Sequence, residues 1–205
     1  MNFYQRNDYT LESIARRIIS QYDPSLLHTP APIPVEAIME LKYELTIVFH
    51  HIRKNGRILG ETIFEDAMVP IYERRNREGY KLVPFRAGTV IIDSSLLKYR
   101  KDAKDGRYNW TCGHELAHYV LDKQYFMELG ETAAMTKVAR SSETDRRIEY
   151  QANRLTNYLL MPKGTVKKAF HNTRNQRDVV GCLAKFFCVS NAAIRYRLIE
   201  LGLLQ

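Results

Sequence analysis

The chain predicts an α+β fold, in which a small, mostly antiparallel sheet packs on a helical half. Three observations predict it. Apolar residues at helical spacing open the chain, β-rich runs with turn signals fill residues 45–93, and helical spacing returns from Tyr108 onward.

The first helix is expected over residues 9–21, where Leu11, Ile14, Ala15, Ile18 and Ile19 recur on one face. Asp23-Pro24 stops it, and the proline-rich stretch 30–34 makes a rigid connector. A short helix over 35–43 follows, opened by Pro34. Strands are expected at 45–49, 57–64, 68–72 and 89–92, with turns at Asn55-Gly56, Glu78-Gly79 and Ala87-Gly88. Asn109 can cap a helix over 110–121, and a second strong helix spans 143–160, closed by Met161-Pro162. Between them, residues 122–142 have weaker periodicity and read as a flexible loop. Helices near 176–187 and 191–201 end the chain. We divide it into a core over residues 1–162 and a basic, helix-turn-helix-like extension over 163–205.

Composition narrows the class. At 45% hydrophobic and 26% charged, 205 residues can bury a core without staples. Residues 1–21 are too polar for an export signal, and no run approaches the ~20 apolar residues of a membrane span. The odd set Cys112, Cys182 and Cys188 lacks paired metal spacing and reads as small buried hydrophobes in a reducing compartment. A cytoplasmic protein with no membrane partner is expected. Residues 163–205 carry eight basic and two acidic side chains, so they hold six of the eight net positive charges. Such a tail favours an anionic partner, nucleic acid or an acidic protein surface.

The chemistry sits in His114-Glu115-Leu116-Ala117-His118, an H-E-x-x-H pattern. Residues four apart share a helix face, so the two imidazoles can grip one zinc ion, with Glu115 beside it as general base. Chance yields this pattern in on the order of one chain in a hundred or two, so a third ligand has to support it. Asp122 cannot serve, because the helix climbs about 12 Å between His114 and Asp122. Glu143, Asp145 and Glu149 on the next helix are the candidates. Glu149 fits best, flanking the apolar stripe Ile148, Ala152, Leu155 and Leu159, and Asn153 one turn on can orient a ligand histidine. One zinc per chain is expected, although manganese or iron suits the same ligands. Tyr125, Tyr150 and His171 are possible donors to a developing oxyanion. Strand 89–92, if it is an edge, could hold an extended substrate by strand addition.

Residues 112–121 (CGHELAHYVL), 149–153 (EYQAN) and 159–162 (LLMP) resemble, in that order, the ImmA/IrrE family of bacterial metallo-endopeptidases. The resemblance covers roughly residues 108–162. It implies a thermolysin-like (gluzincin) minimal core with His114, His118 and Glu149 as zinc ligands and Glu115 as general base. It also implies a helix-turn-helix repressor as the protein substrate. Gln151 departs from the pattern, standing where a second glutamate is common.

Residues 183–198 read as helix, tight turn and helix, with Ser190 as cap and Asn191, Arg195 and Arg197 facing outward. Cys188 fills the turn position usually taken by glycine. These residues could contact protein or, less favoured, nucleic acid. The leading reading is a zinc-dependent endopeptidase acting on an intracellular regulatory protein. The alternatives are a DNA-binding regulator using the C-terminal helix pair, or a non-catalytic toxin–antitoxin or phage interaction protein with a structural metal.

Overall fold

The computed structural model describes residues 6–52, 58–73, 79–100, 106–129 and 143–205, with the side chains of 99, 124–129 and 143–145 outside that description. Helix α1 (Asp8–Tyr22) starts where the Asn7 side chain accepts the Thr10 amide, and it buries Leu11, Ala15, Ile18 and Ile19. Helix α2 (Val35–Tyr43) follows Pro34 as expected. Among the described residues five strands come next: β1 (Thr46–His50), β2 (Gly60–Thr62), β3 (Ala67–Tyr72), β4 (Tyr80–Phe85) and β5 (Thr89–Asp93). After the short α3 (Leu97–Arg100) come α4 (Arg107–Leu129), α5 (Glu143–Leu160), α6 (Lys163–Thr173), α7 (Val179–Phe187) and α8 (Asn191–Glu200). The α+β class is borne out.

The strands form a three-stranded sheet in the order β1-β5-β2 and a separate antiparallel hairpin, β3-β4. Strand β1 runs parallel to β5 and β2 antiparallel to it, so the sheet is mixed. Strand β5 is therefore its centre and not the edge considered from sequence. Its side chains explain why. Val90 and Ile92 enter the main core among the helices, while Ile91 enters a second core with Ile52, Ile63, Val69 and Ile71 under the hairpin. A strand apolar on both faces is buried on both faces. The layers are helices, sheet and hairpin. Strand β4 was not anticipated, because Pro84 interrupts its β signal. Among the described residues each hairpin strand has only one neighbour, and such edges accept Pro70 and Pro84. Asn55-Gly56 and Glu78 lie outside the described residues.

Helix α4 differs from expectation at both ends. It begins at Arg107, so Asn109 lies inside it and its Nδ2 reaches the Cys188 carbonyl at 3.4 Å. It also runs to Leu129, so 122–129 is helix and not loop, while residues 130–142 lie outside the described set. Before it stands Gly106 at φ 68°, where a Cβ would come within 2.6 Å of Val189 Cα. Glycine favours that backbone, and only glycine permits that approach. Helix α6 was also missed, although Val166, Ala169 and Phe170 carry a short helical period.

At the C-terminus the turn is as read. Cys188 adopts φ 53°, and Ser190 Oγ accepts the Ala193 amide. Asn191 and Arg195 are exposed. Arg197 is a correction, since its side chain is only 2% exposed and points inward. It donates to Met161 O at 3.1 Å, Glu200 Oε2 at 2.7 Å and Glu12 Oε1 at 2.7 Å. The i, i+3 spacing of Ile194 and Arg197 turns both to the core, where two carboxylates neutralise the guanidinium. Leu183, Phe187, Val189, Ile194 and Leu198 share one buried cluster with Leu11, Leu116 and Leu155. The cysteines also differ from expectation, since Cys112 alone is buried and Cys182 is exposed. No single helix among the described residues is long and apolar enough to cross a membrane.

Candidate metal centre

Helix α4 buries Cys112, Leu116, Ala117 and Leu121, which fixes its rotation and turns His114 and His118 toward α5. Helix α5 can come close because Gly113 has no side chain; a Cβ there would meet Thr156 Cγ2 at 3.0 Å. Buried Ile148, Ala152, Leu155 and Leu159 anchor α5 and leave Glu149 on its flank, facing the imidazoles.

The three side chains meet. His114 Nε2 lies 3.0 Å from His118 Nε2, Glu149 Oε2 3.2 Å from His114 Nε2, and Glu149 Oε1 3.5 Å from His118 Nε2. A tetrahedral ion with Zn–N bonds of about 2.0–2.1 Å sets its ligand atoms about 3.3 Å apart. The spacing fits. The donor set fits as well, because lone-pair atoms face one another and no arginine or lysine is drawn into hydrogen bonding with them among the described residues. These residues can hold a divalent cation.

Asp122 supplies what the sequence reading assigned to Asn153. Its Oδ2 lies 2.9 Å from His118 Nδ1, and the carboxylate is fully buried. An ionised Asp122 accepts the Nδ1 proton, which leaves the His118 Nε2 lone pair aimed at the site. Asp122 is too far along the helix to join His114 on one ion, but four residues is also the spacing at which it reaches the far side of His118. Asn153 lines the same cleft and bonds neither imidazole among the described residues. Gln151 is buried away from the site, its Oε1 accepting the Arg6 amide at 2.7 Å.

Charge follows this geometry. Burial alone would lower His118, but hydrogen bonds to Asp122 and Glu149 outweigh it and push the imidazole up to about 9. Burial alone would raise Glu149, but His114 and His118 hold it far below the usual carboxylate range. Burial raises Asp122 against the pull of His118.

Glu115, on α4, is buried beside the pair and against strand β2. Thr62 Oγ1 donates to its Oε2 at 2.8 Å, and a Cβ at Gly60 would strike its Oε1 at 2.5 Å. Sequence reasoning missed both Thr62 and Gly60, because nothing in a three-residue strand marks it as the neighbour of a helix fifty residues on. The cleft, about 420 Å³, is lined by Leu59, Gly60, Trp110, His114, Glu115 and Glu149 among others. Tyr150 and His171 are exposed and do not line it. The side chains of Tyr125, Glu143 and Asp145 lie outside the described residues.

Comparisons with known proteins agree with this architecture. A solved structure of a Mycobacterium tuberculosis transcriptional regulator is similar at 13% identity and a TM-score of 0.54, covering 93% of this chain and 55% of that one. The likeness shows the fold alone, and this chain spans about half the length of that protein. No curated protein matches significantly. The family model for the IrrE N-terminal-like domain (Peptidase_M78) matches residues 75–199, more than half of the sequence, including the whole H-E-x-x-H segment and Glu149. On that match, the chain belongs to the IrrE N-terminal-like peptidase family.

Proposed function

We propose that the protein is a zinc-dependent endopeptidase that cuts one peptide bond in a regulatory protein, with a helix-turn-helix repressor as the substrate class. The observation that carries this reading is the meeting of two imidazoles and one carboxylate from separate helices, with the buried carboxylate of Glu115 beside them. His114, His118 and Glu149 would hold the cation, leaving one corner to solvent and substrate as hydrolytic sites require. When bound, the cation supplies Lewis acidity that polarises a carbonyl and acidifies water.

The remaining work belongs to side chains of this chain. Glu115 accepts a proton and returns it to the departing amine. Thr62 orients the Glu115 carboxylate for that transfer, and Gly60 keeps space open for it. Asp122 holds His118 in the tautomer that presents Nε2. Strand β2 has β5 on one side, and Gly60 at its start lines the cleft with Ile58 and Leu59, where an extended peptide can add as a strand. Asn191 and Arg195, exposed on α8, are free to touch a protein partner.

The test is incubation with a helix-turn-helix repressor encoded beside the gene, with and without a chelator. We expect about one zinc per chain in both wild type and Glu115→Gln, with cleavage in the wild type alone and only without chelator. A loss on the order of 10²–10⁴-fold is expected for the variant. Undiminished cleavage by Glu115→Gln would remove the mechanism.

A further inference from the structure

Beside the cleft lies a second cavity of about 380 Å³, lined by Leu59, Gly106, Arg107, Trp110, Thr111, Ser190 and Ala193. It continues the first. Leu59, Trp110 and Thr111 border both. Its walls differ in kind. The cleft gathers His114, Glu115, Glu149 and Asn153, whereas the second cavity has Leu59, Trp110 and Ala193 as its apolar walls and, among the described residues, no carboxylate. Trp110 lies one helical turn before His114 and Thr111 one turn before Glu115, so the cavity opens one turn along α4 from the candidate reacting groups.

Its outer wall comes from the chain's last forty residues. Gly106 lets the Cys188–Val189 turn press against the start of α4, and Asn109 Nδ2 bonds the Cys188 carbonyl. That contact sets Ser190 and Ala193 opposite Trp110. Buried Ile194 and Leu198, together with Arg197, hold α8 in place.

We propose that this cavity is a subsite that takes an apolar side chain of the peptide substrate next to the scissile bond, and that α8 sets its size through Ala193. The inference rests on the peptidase reading and deepens it. An extended peptide on β2 sends successive side chains to opposite faces. One that has its carbonyl at the candidate metal corner can place a neighbouring side chain in the adjoining cavity. Leucine or phenylalanine buries apolar surface there, whereas glycine buries none. The C-terminal helix pair thus takes part in substrate choice.

Trp110 is the single tryptophan of the chain, so intrinsic fluorescence reads occupancy directly. The experiment titrates zinc-loaded protein with glycine hydroxamate and leucine hydroxamate, whose common head group chelates a divalent ion. We expect leucine hydroxamate to bind about ten- to a hundredfold tighter, with a shift in Trp110 emission. Ala193→Leu, and to a lesser degree Ala193→Val, should bring that ratio toward one. Equal affinities in the wild type overturn the subsite. So does a ratio unchanged in whichever variants melt at the wild-type temperature. Absence of binding by either hydroxamate indicts the metal reading instead. The subsite is then decided on metal-free protein by N-acetyl-leucinamide against N-acetylglycinamide. A Trp110 response to the leucine compound alone upholds it, and equal responses or none overturn it.

Discussion

Helix α5 carries two polar clusters that differ in one respect. Around Glu149 every convergent atom is a lone-pair donor: two imidazole nitrogens and a carboxylate. Further along, Arg154 and Arg197 bring the positive charge themselves. Arg154 forks onto Asp8 at 2.9 Å through both Nε and Nη2, and also bonds Tyr196, Tyr158 and Glu200. Arg197 pairs with Glu12 and Glu200, and both guanidiniums lie over the Tyr158 ring, 4.8 and 4.7 Å from its centroid. The second cluster is electrically complete and staples α1, α5 and α8 together. The first brings no fixed positive charge, so without a metal a proton on His118 stands in. Burial alone does not distinguish a site from a staple; the sign of what is missing does.

The two clusters should therefore break differently. The largest effect is expected for Arg197→Ala, which strips Glu12 of its partner and leaves Glu200 to Arg154 alone. It should cost about 3 kcal/mol in denaturant unfolding. Zinc content of the folded fraction should stay at wild-type level, and a parallel loss of zinc would show that the staple and the metal corner are one unit. Next comes Asp122→Asn, which replaces the charged acceptor behind His118 with a neutral one. Zinc affinity by competitive chelator titration should fall about 10–100-fold. An unchanged affinity would leave the Asp122 contact without a role at the site.

Acid and base should separate the clusters further. His118 titrates near 9 in the fold against 6.5 ordinarily. In metal-free protein its stabilisation is thus full below about 6.5 and lost as pH rises through about 9. Arg154 pulls Asp8 below its ordinary 3.8. Burial would raise Glu200, but Arg197 and Arg154 take it below 4.5. The staple's contribution is present above those values and lost as pH falls through the lowered ones. Melting of metal-free protein should decline on both sides of a plateau. Zinc should raise the melting temperature more with increasing pH between about 6.5 and 9, since it competes with protons for the imidazoles. A zinc effect that shrinks over that window would contradict imidazole ligation. The smallest effect concerns Arg195. With Arg197 turned inward, duplex DNA binding should respond weakly to salt, and Arg195→Ala should alter the slope by no more than about one. A steep slope lost in that variant would restore the DNA reading.

Much of the fold was legible because it is local. Residues 143–160 are helical as read, and the His114–His118 spacing followed from helix geometry. Short-range patterns failed where a neighbour distant in sequence decides. Helix α4 outruns its expected end, Asn109 is not its cap, and Pro84 hid a strand that survives by having one partner.

The residue order by itself determined the periods, the caps such as Ser190, the left-handed turn at Cys188 and the pair of imidazoles on one face. Each depends on residues within about one helical turn. Tertiary structure alone decided the rest. It put Thr62 on Glu115 across 53 positions, drew Arg197 to Glu12 across 185, and made β5 central. Such pairings depend on how apolar faces pack and on which charges then find a partner, and the one-dimensional pattern carries neither.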